Sequence, residues 1–187
     1  MKAFESGAPV RFIMIFLSLF VVFYYFNILF FGLTSHGNHY NAFLAEHLNY
    51  IVWLRHSLLH CSATLLHWLG YAAITNDTDL LVSGHGTLRL IYSCLGLGIM
   101  SFFSAFVIAY PKKLKAKLIF LFSGIIIIQM LNVIRFVVLA IFWDKNADTQ
   151  IVDHHTIFNI IIYVIIAISL YFWINHDDKL TTTHAKN

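Results

Sequence analysis

The chain has 187 residues, of which 59% are hydrophobic and only 11% are charged. Its mean hydropathy of +0.76 excludes an ordinary soluble globular protein and is typical of an integral membrane protein. The net charge is only +3, and no basic block indicates binding to nucleic acid. The sequence therefore predicts a single membrane domain over residues 1–187, with the lipid bilayer around it and no nucleic-acid partner.

The first apolar stretch, residues 12–33, follows Lys2 and Arg11. It is longer than the hydrophobic region of a secretory signal peptide, and no small-residue cleavage site follows it. We therefore interpret it as a retained transmembrane helix.

The next segment, residues 42–74, is apolar but is interrupted by Glu46, Arg55 and several histidines. It contains no uninterrupted apolar window of the length needed to cross a bilayer, about 18 residues. This pattern predicts two amphipathic helices, which either lie in the membrane interface or form a re-entrant pair.

A polar break at Asn76, Asp77 and Asp79 follows that segment. Two short runs of β-like composition, LLVS and LRLIY, come next, and Gly84-His85-Gly86 separates them. A glycine-containing turn between two such runs predicts a short β-hairpin over residues 80–93, directly before Cys94.

Three more segments are apolar and long enough to be read as membrane spans, at about residues 95–110, 118–143 and about 156–174. With the first span they make four predicted transmembrane helices. The expected fold class is therefore an all-α, polytopic helical bundle with one or two additional amphipathic or re-entrant helices and a short β-hairpin before Cys94.

The orientation follows from the distribution of cations. The turn at residues 111–117 carries four lysines, so the positive-inside rule places it in the cytoplasm. Cys94 and His155 then lie at the outer ends of their spans, and Arg135 lies roughly 12 Å below the outer boundary. We expect a multi-pass protein of the plasma (inner) membrane, with its active site facing outward and zero or two crossings between residues 34 and 94.

Arg135 is the single charged residue in the run of residues 118–143. A guanidinium at bilayer depth costs about 2.5–3.5 kcal/mol on insertion scales, so such a residue normally faces a protein interior and has a function there. Asn132 lies one turn earlier on the same helix face, which supports an inward polar surface.

Three reactive groups in one leaflet suggest acyl-transfer chemistry. Cys94 supplies a nucleophilic thiol, His155 is suited to accept and return a proton, and Arg135 can hold an oxyanion. Gly96 would let a substrate backbone approach closely, and His154 competes with His155 for the proton-transfer role. The alternatives are a buried, unreactive cysteine and histidines that merely cap the last helix.

Two other functions fit parts of the sequence. The chain has 11 histidines, and His56, His60 and His67 follow one helical face, so a haem, metal or redox protein is one alternative. We interpret these residues as ordinary interfacial histidines on amphipathic helices, and we predict neither a cofactor nor a metal. A non-catalytic membrane scaffold is the other alternative, and the buried Arg135 argues against it.

The motif Cys94-Leu95-Gly96-Leu97, followed by Asn132-Val133-Ile134-Arg135 and by His155 at the start of the last helix, resembles the exosortase/archaeosortase family. The resemblance covers about residues 57–175 and includes the Pro-Lys-Lys turn. Members are polytopic transpeptidases with a Cys, Arg and His triad in separate spans.

This resemblance implies a short exosortase-like enzyme with Cys94, Arg135 and His155 as catalytic residues. It implies that the partners are membrane-anchored protein substrates with a C-terminal sorting signal, made of a short motif, a membrane helix and a basic tail. Leu95 stands where Ser is usual, and Asn159 stands where many members have Gly. The subfamily and the substrate motif therefore stay open.

Overall fold

The computed structural model describes residues 8–35, 40–142 and 151–184, and it describes side chains for residues 9–35, 40–142 and 158–175. The chain divides into two compact units, residues 1–145 and 146–187. The described helices of the first unit are α1 (Ala8–Thr34), α2 (Ala42–His47), α3 (Tyr50–Trp68), α4 (Leu97–Ala109) and α5 (Leu114–Phe142). Its strands are β1 (Ala73–Thr75), β2 (Asp79–Val82) and β3 (Gly86–Arg89), followed by a 3₁₀ turn at Tyr92–Leu95. The second unit contains α6 (Ile151–His184).

Three helices within the described residues are long and apolar enough to cross a membrane: Pro9–Thr34, Leu114–Phe142 and Phe158–Asn175. They coincide with the predicted spans at 12–33, 118–143 and 156–174. These three spans are therefore confirmed in length and composition, and the protein is a multi-pass membrane protein.

The fourth predicted span, residues 95–110, is not confirmed. α4 has 13 residues, which at 1.5 Å per residue is about 20 Å, short of the roughly 30 Å hydrocarbon core. Gly96, with φ of +74°, separates it from the 3₁₀ turn. At its other end Tyr110 is already extended, as residues before a proline tend to be, and Pro111 follows.

Residues 42–74 contain two helices, α2 and α3, as predicted. Each begins at an asparagine: the side chain of Asn41 accepts a hydrogen bond from the Leu44 N–H, and that of Asn49 accepts one from the Val52 N–H. These caps satisfy otherwise unpaired N–H groups and explain why the segment forms two separate helices and not one continuous helix.

The strands form an antiparallel sheet in the order β1-β2-β3. The β2–β3 pair is the predicted hairpin, whereas β1 was not predicted. The fold is thus mostly helical, as expected, and its sheet has one strand more than the predicted hairpin. Leu80, Val82 and Leu88 are buried on one face of the sheet, and α3 and α5 contact these strands.

The helices of the first unit pack through large aromatic and small residues. α1 lies along α4, where Phe16 makes edge-to-face contacts with Phe102 and Phe106. α4 lies along α5, where the ring of Phe103 occupies the space that a side chain at Gly124 would need. This packing places the 3₁₀ turn, which contains Cys94, between the sheet and α4.

Candidate active site

Cys94 lies in the 3₁₀ turn, and its side chain is buried, with 5% exposure. Its backbone N–H donates to the Ile91 carbonyl oxygen at 3.0 Å. The sequence placed Cys94 at the start of the span at 95–110, but the structure places it before Gly96, outside α4.

Arg135 lies on α5 with 4% exposure, which confirms the prediction that it faces the protein interior. The same helix packs against the turn that contains Cys94, because Asn132 lies against Gly96 and Gln129 reaches the Leu95 carbonyl oxygen. Arg135 therefore lies on the helix that borders the Cys94 turn.

Asn132 and Gln129 connect α5 to the turn that carries Cys94. Gln129 Nε2 donates to the Leu95 carbonyl oxygen at 3.4 Å and lies 3.0 Å from Met100 Sδ. Asn132 Nδ2 donates in turn to Gln129 Oε1 at 3.4 Å. Asn132 is completely buried, and its Oδ1 accepts no hydrogen bond from any residue within the described ranges.

Gln129 was not predicted as a site residue. Its signal was the spacing of Gln129, Asn132 and Arg135, which recur every three residues along an otherwise apolar helix. Residues at that spacing lie close to one face of a helix. The face is the one that contacts the Cys94 turn.

Gly96 has a role other than the one expected. A Cβ atom built at this position would collide with the carboxamide of Asn132, and the backbone has a φ of +74°. The Asn132 carboxamide fills the space on the Cβ side of Gly96. Gly96 therefore allows α5 to approach the Cys94 turn closely.

The histidine candidates lie in the second unit. The backbone of both His154 and His155 belongs to α6, but their side chains lie outside the described residues. The expected role of either imidazole thus remains a prediction.

Histidines elsewhere have separate contacts. Nε2 of His67 lies 2.8 Å from the carbonyl oxygen of Ala73, and Nε2 of His56 lies 3.6 Å from a carboxylate oxygen of Asp77. Within the described part of the chain, no group of three or more His, Cys, Asp or Glu residues is arranged to hold a metal ion. His56 and His67, on which the metal or haem alternative depended, therefore have structural partners.

A second polar cluster joins three helices of the first unit. The Tyr50 hydroxyl donates to Asn27 Oδ1, and Asn27 Nδ2 donates to Ser101 Oγ at 3.1 Å. The cluster lines a cavity of about 620 Å³ whose other walls are mainly apolar. Because every one of these hydrogen bonds is internal, the cluster ties α1 and α3 to α4, the helix that follows Cys94.

A protein-family model described as transmembrane exosortase matches residues 8–173 of the chain. Comparisons with curated proteins and with solved structures gave no match. The family match spans most of the chain and includes the Cys94 turn, Asn132, Arg135 and His155. This chain belongs to the transmembrane exosortase family.

Proposed function

We propose that this chain is a membrane-embedded cysteine protease and transpeptidase that cleaves a C-terminal sorting signal at the outer face of the membrane. The signal consists of a short motif, a membrane helix and a basic tail, and the product is transferred to an acceptor. Family membership supports a membrane cysteine peptidase or transpeptidase in general terms. The observation that carries the specific proposal is that Cys94 and Arg135 are both buried and that α5, which bears Arg135, packs against the turn that contains Cys94.

Cys94 is the proposed nucleophile. Its sulfur attacks the carbonyl carbon of the scissile peptide bond, so a C–S bond forms and negative charge moves to the carbonyl oxygen. A nearby guanidinium favours the thiolate and can donate hydrogen bonds to the developing oxyanion. Both effects are strong in a site from which water is excluded. Arg135 is the proposed source of both.

His155 is the proposed proton carrier. It takes the thiol proton and returns it to the leaving amine, so the C–N bond breaks and a thioester to Cys94 remains. An acceptor amine or water, deprotonated by the same imidazole, then attacks the thioester and restores the thiol. His154 is the alternative for this role, since the two residues are adjacent in α6.

Asn132 and Gly96 are proposed to support the nucleophile. The Asn132 carboxamide packs against Gly96, two residues after Cys94, and it is linked through Gln129 to the Leu95 carbonyl. These contacts restrict the backbone on the C-terminal side of the nucleophile. A fixed attack geometry contributes to rate because less freedom is lost in the transition state.

The proposal is tested by co-expressing the protein with a reporter in one membrane. The reporter carries a soluble domain fused to the C-terminal motif, helix and basic tail of a protein from the same genome. Cys94→Ala should abolish processing. Cys61→Ala is the matched control, because Cys61 is an exposed cysteine on α3, and this variant should process the reporter normally. Normal processing by Cys94→Ala would refute the proposal.

A further inference from the structure

The sheet beside Cys94 has two outer edges, and one of them is capped. Strand β1 forms the first edge, where Nε2 of His67 lies 3.3 Å from the Ala73 nitrogen and 2.8 Å from its carbonyl oxygen. The side chain from α3 thus occupies the backbone groups through which another strand could pair with β1. Strand β3 forms the second edge.

The backbone groups of β3 alternate between β2 and this second edge. Leu90 N–H donates to the Thr78 carbonyl oxygen at 2.7 Å, and Leu88 pairs with Leu80 in the ladder. Because backbone groups alternate with a period of two, Thr87 and Arg89 direct their N–H and C=O groups away from β2. No hydrogen bond to these outward groups is found among the described residues, and both residues are exposed.

The open edge leads directly to the candidate nucleophile. β3 ends at Arg89, Ile91 is extended and exposed, and the turn that contains Cys94 begins at Tyr92. An extended peptide bound along β3 would therefore reach Cys94 at the end of the strand. Addition of a strand to an exposed sheet edge is a common way to bind an extended peptide.

We propose that the recognition motif of the substrate binds as an added strand along the outer edge of β3, which presents its scissile bond to Cys94. This inference rests on the proposed function. Main-chain hydrogen bonds to Thr87 and Arg89 hold the motif extended, the conformation in which its peptide carbonyl is accessible to the sulfur.

The order of segments determines the direction of the added strand. In this chain β3 precedes the Cys94 turn and the apolar helix α4, and in the proposed substrate the motif precedes a membrane helix. A parallel strand sends both helices into the bilayer from the same side. An antiparallel strand would direct the substrate helix away from the membrane, so parallel pairing is expected.

The outer edge of β3 carries only some of the devices that prevent strand addition. Natural edges are protected by proline, by bulges, by charged side chains or by short strand length. β3 contains no proline, its register with β2 is regular, and its single charge, on Arg89, is paired with Asp79 at 2.9 Å. The four-residue length of β3 is itself protective against aggregation and suits transient binding of a short motif.

A matched pair of proline variants tests whether the motif pairs with the outer edge of β3. Thr87→Pro removes an outward N–H from β3, and Thr75→Pro removes an outward N–H from the opposite edge of β1, while both leave the bonds to β2 in place. Cleavage of the co-expressed reporter should fall about tenfold in Thr87→Pro, because one main-chain hydrogen bond to the motif is lost. Thr75→Pro should cleave at the wild-type rate, and equal rates for the two variants would overturn the inference.

Disulfide cross-linking separates binding from cleavage and does not require a proline. In a Cys61→Ala, Cys94→Ala background, a cysteine introduced by Thr87→Cys should cross-link to a cysteine in the reporter motif, since neighbouring strands lie within disulfide reach. Thr75→Cys should not. If the reporter cross-links but the wild-type protein never cleaves it, the pairing of the motif with β3 is supported and the proposed cleavage is refuted. If the wild-type protein cleaves the reporter but residue 87 does not cross-link to it, only the proposed pairing with β3 is refuted.

Discussion

Arg135 is a permanently charged side chain on a helix that has no other charge from residue 118 to its end at Phe142. Burial of a guanidinium is costly unless its surroundings compensate. In this protein α5 contacts the turn that contains Cys94, through Gln129 and Asn132 on the same helix. We therefore propose that Arg135 takes part in the reaction and does not serve packing alone.

Replacement of this arginine by lysine tests that assignment. Arg135→Lys keeps the charge but loses the planar guanidinium, which can donate several hydrogen bonds in a fixed geometry. If Arg135 stabilises the oxyanion, reporter cleavage should fall roughly 10²–10³-fold at equal protein levels. A cleavage rate close to that of the wild-type protein would assign Arg135 an electrostatic role only.

The proton carrier is tested by single alanine variants of the two adjacent histidines. His155→Ala should reduce cleavage about 10²–10⁴-fold if the imidazole transfers the proton, whereas His154→Ala should be mild. The measurement is the initial rate of reporter cleavage over a range of pH. A severe loss in His154→Ala with a mild loss in His155→Ala would exchange their roles.

The sequence marked Cys94 and Arg135 as candidates because a cysteine directly before an apolar span and a lone charge within one are conspicuous. It did not identify Gln129, since a neutral amide in an apolar helix has several ordinary explanations. The role of Gly96 depends on which residue of α5 faces it, and spacing along the chain does not determine that contact.

Among the elements, the junction between the 3₁₀ turn and α4 determines where Cys94 lies. Gly96 bends the chain there with a φ of +74°, and Asn132 of α5 fills the space beside it. The three long helices were predictable from their apolar length, and the β2–β3 hairpin from its glycine turn. β1 was not predictable, because a three-residue strand depends on its pairing with β2 and on the His67 contact. The two ends of α4, which make it shorter than the fourth predicted span, likewise depend on Gly96 and Pro111.

A glycine-to-alanine pair tests this junction. Gly96→Ala places a side chain in the left-handed region, at a cost of roughly 1–2 kcal/mol, and also forces Asn132 to move. The variant should unfold at a lower temperature in detergent and should lose cleavage. Gly32→Ala is the matched control, because its Cβ would meet nothing within 4 Å in α1. Equal stability of the two variants would contradict the close packing proposed between Asn132 and the Cys94 turn.

For the whole molecule, the proposed reaction requires the sheet and Cys94 to face the outside of the cell. The four lysines of residues 111–117 predict that this turn, on the opposite side of α4 from Cys94, is cytoplasmic. The proposed orientation requires the segment from the 3₁₀ turn to Tyr110 to cross the bilayer although α4 itself is short, and the exposed loop between β1 and β2 should then lie outside. The substrate motif would reach the open edge of β3 from that side.

Labelling of single cysteines tests this topology in a Cys61→Ala, Cys94→Ala background. An impermeant thiol reagent added to intact cells should label Asp77→Cys, in the exposed β1–β2 loop, and should not label Lys113→Cys until the cells are opened. The reverse pattern would place Cys94 on the cytoplasmic side and exclude cleavage at the outer face.

The measurement that tests the central claim most directly is detection of the acyl-enzyme. Wild-type protein expressed with the reporter should carry the reporter's soluble domain as a thioester on Cys94, identified by mass spectrometry of the Cys94 peptide and released by hydroxylamine. The adduct should be absent from Cys94→Ala and present in Cys61→Ala. Efficient cleavage with no adduct on Cys94, even when the reaction is stopped early by acid, would contradict the account.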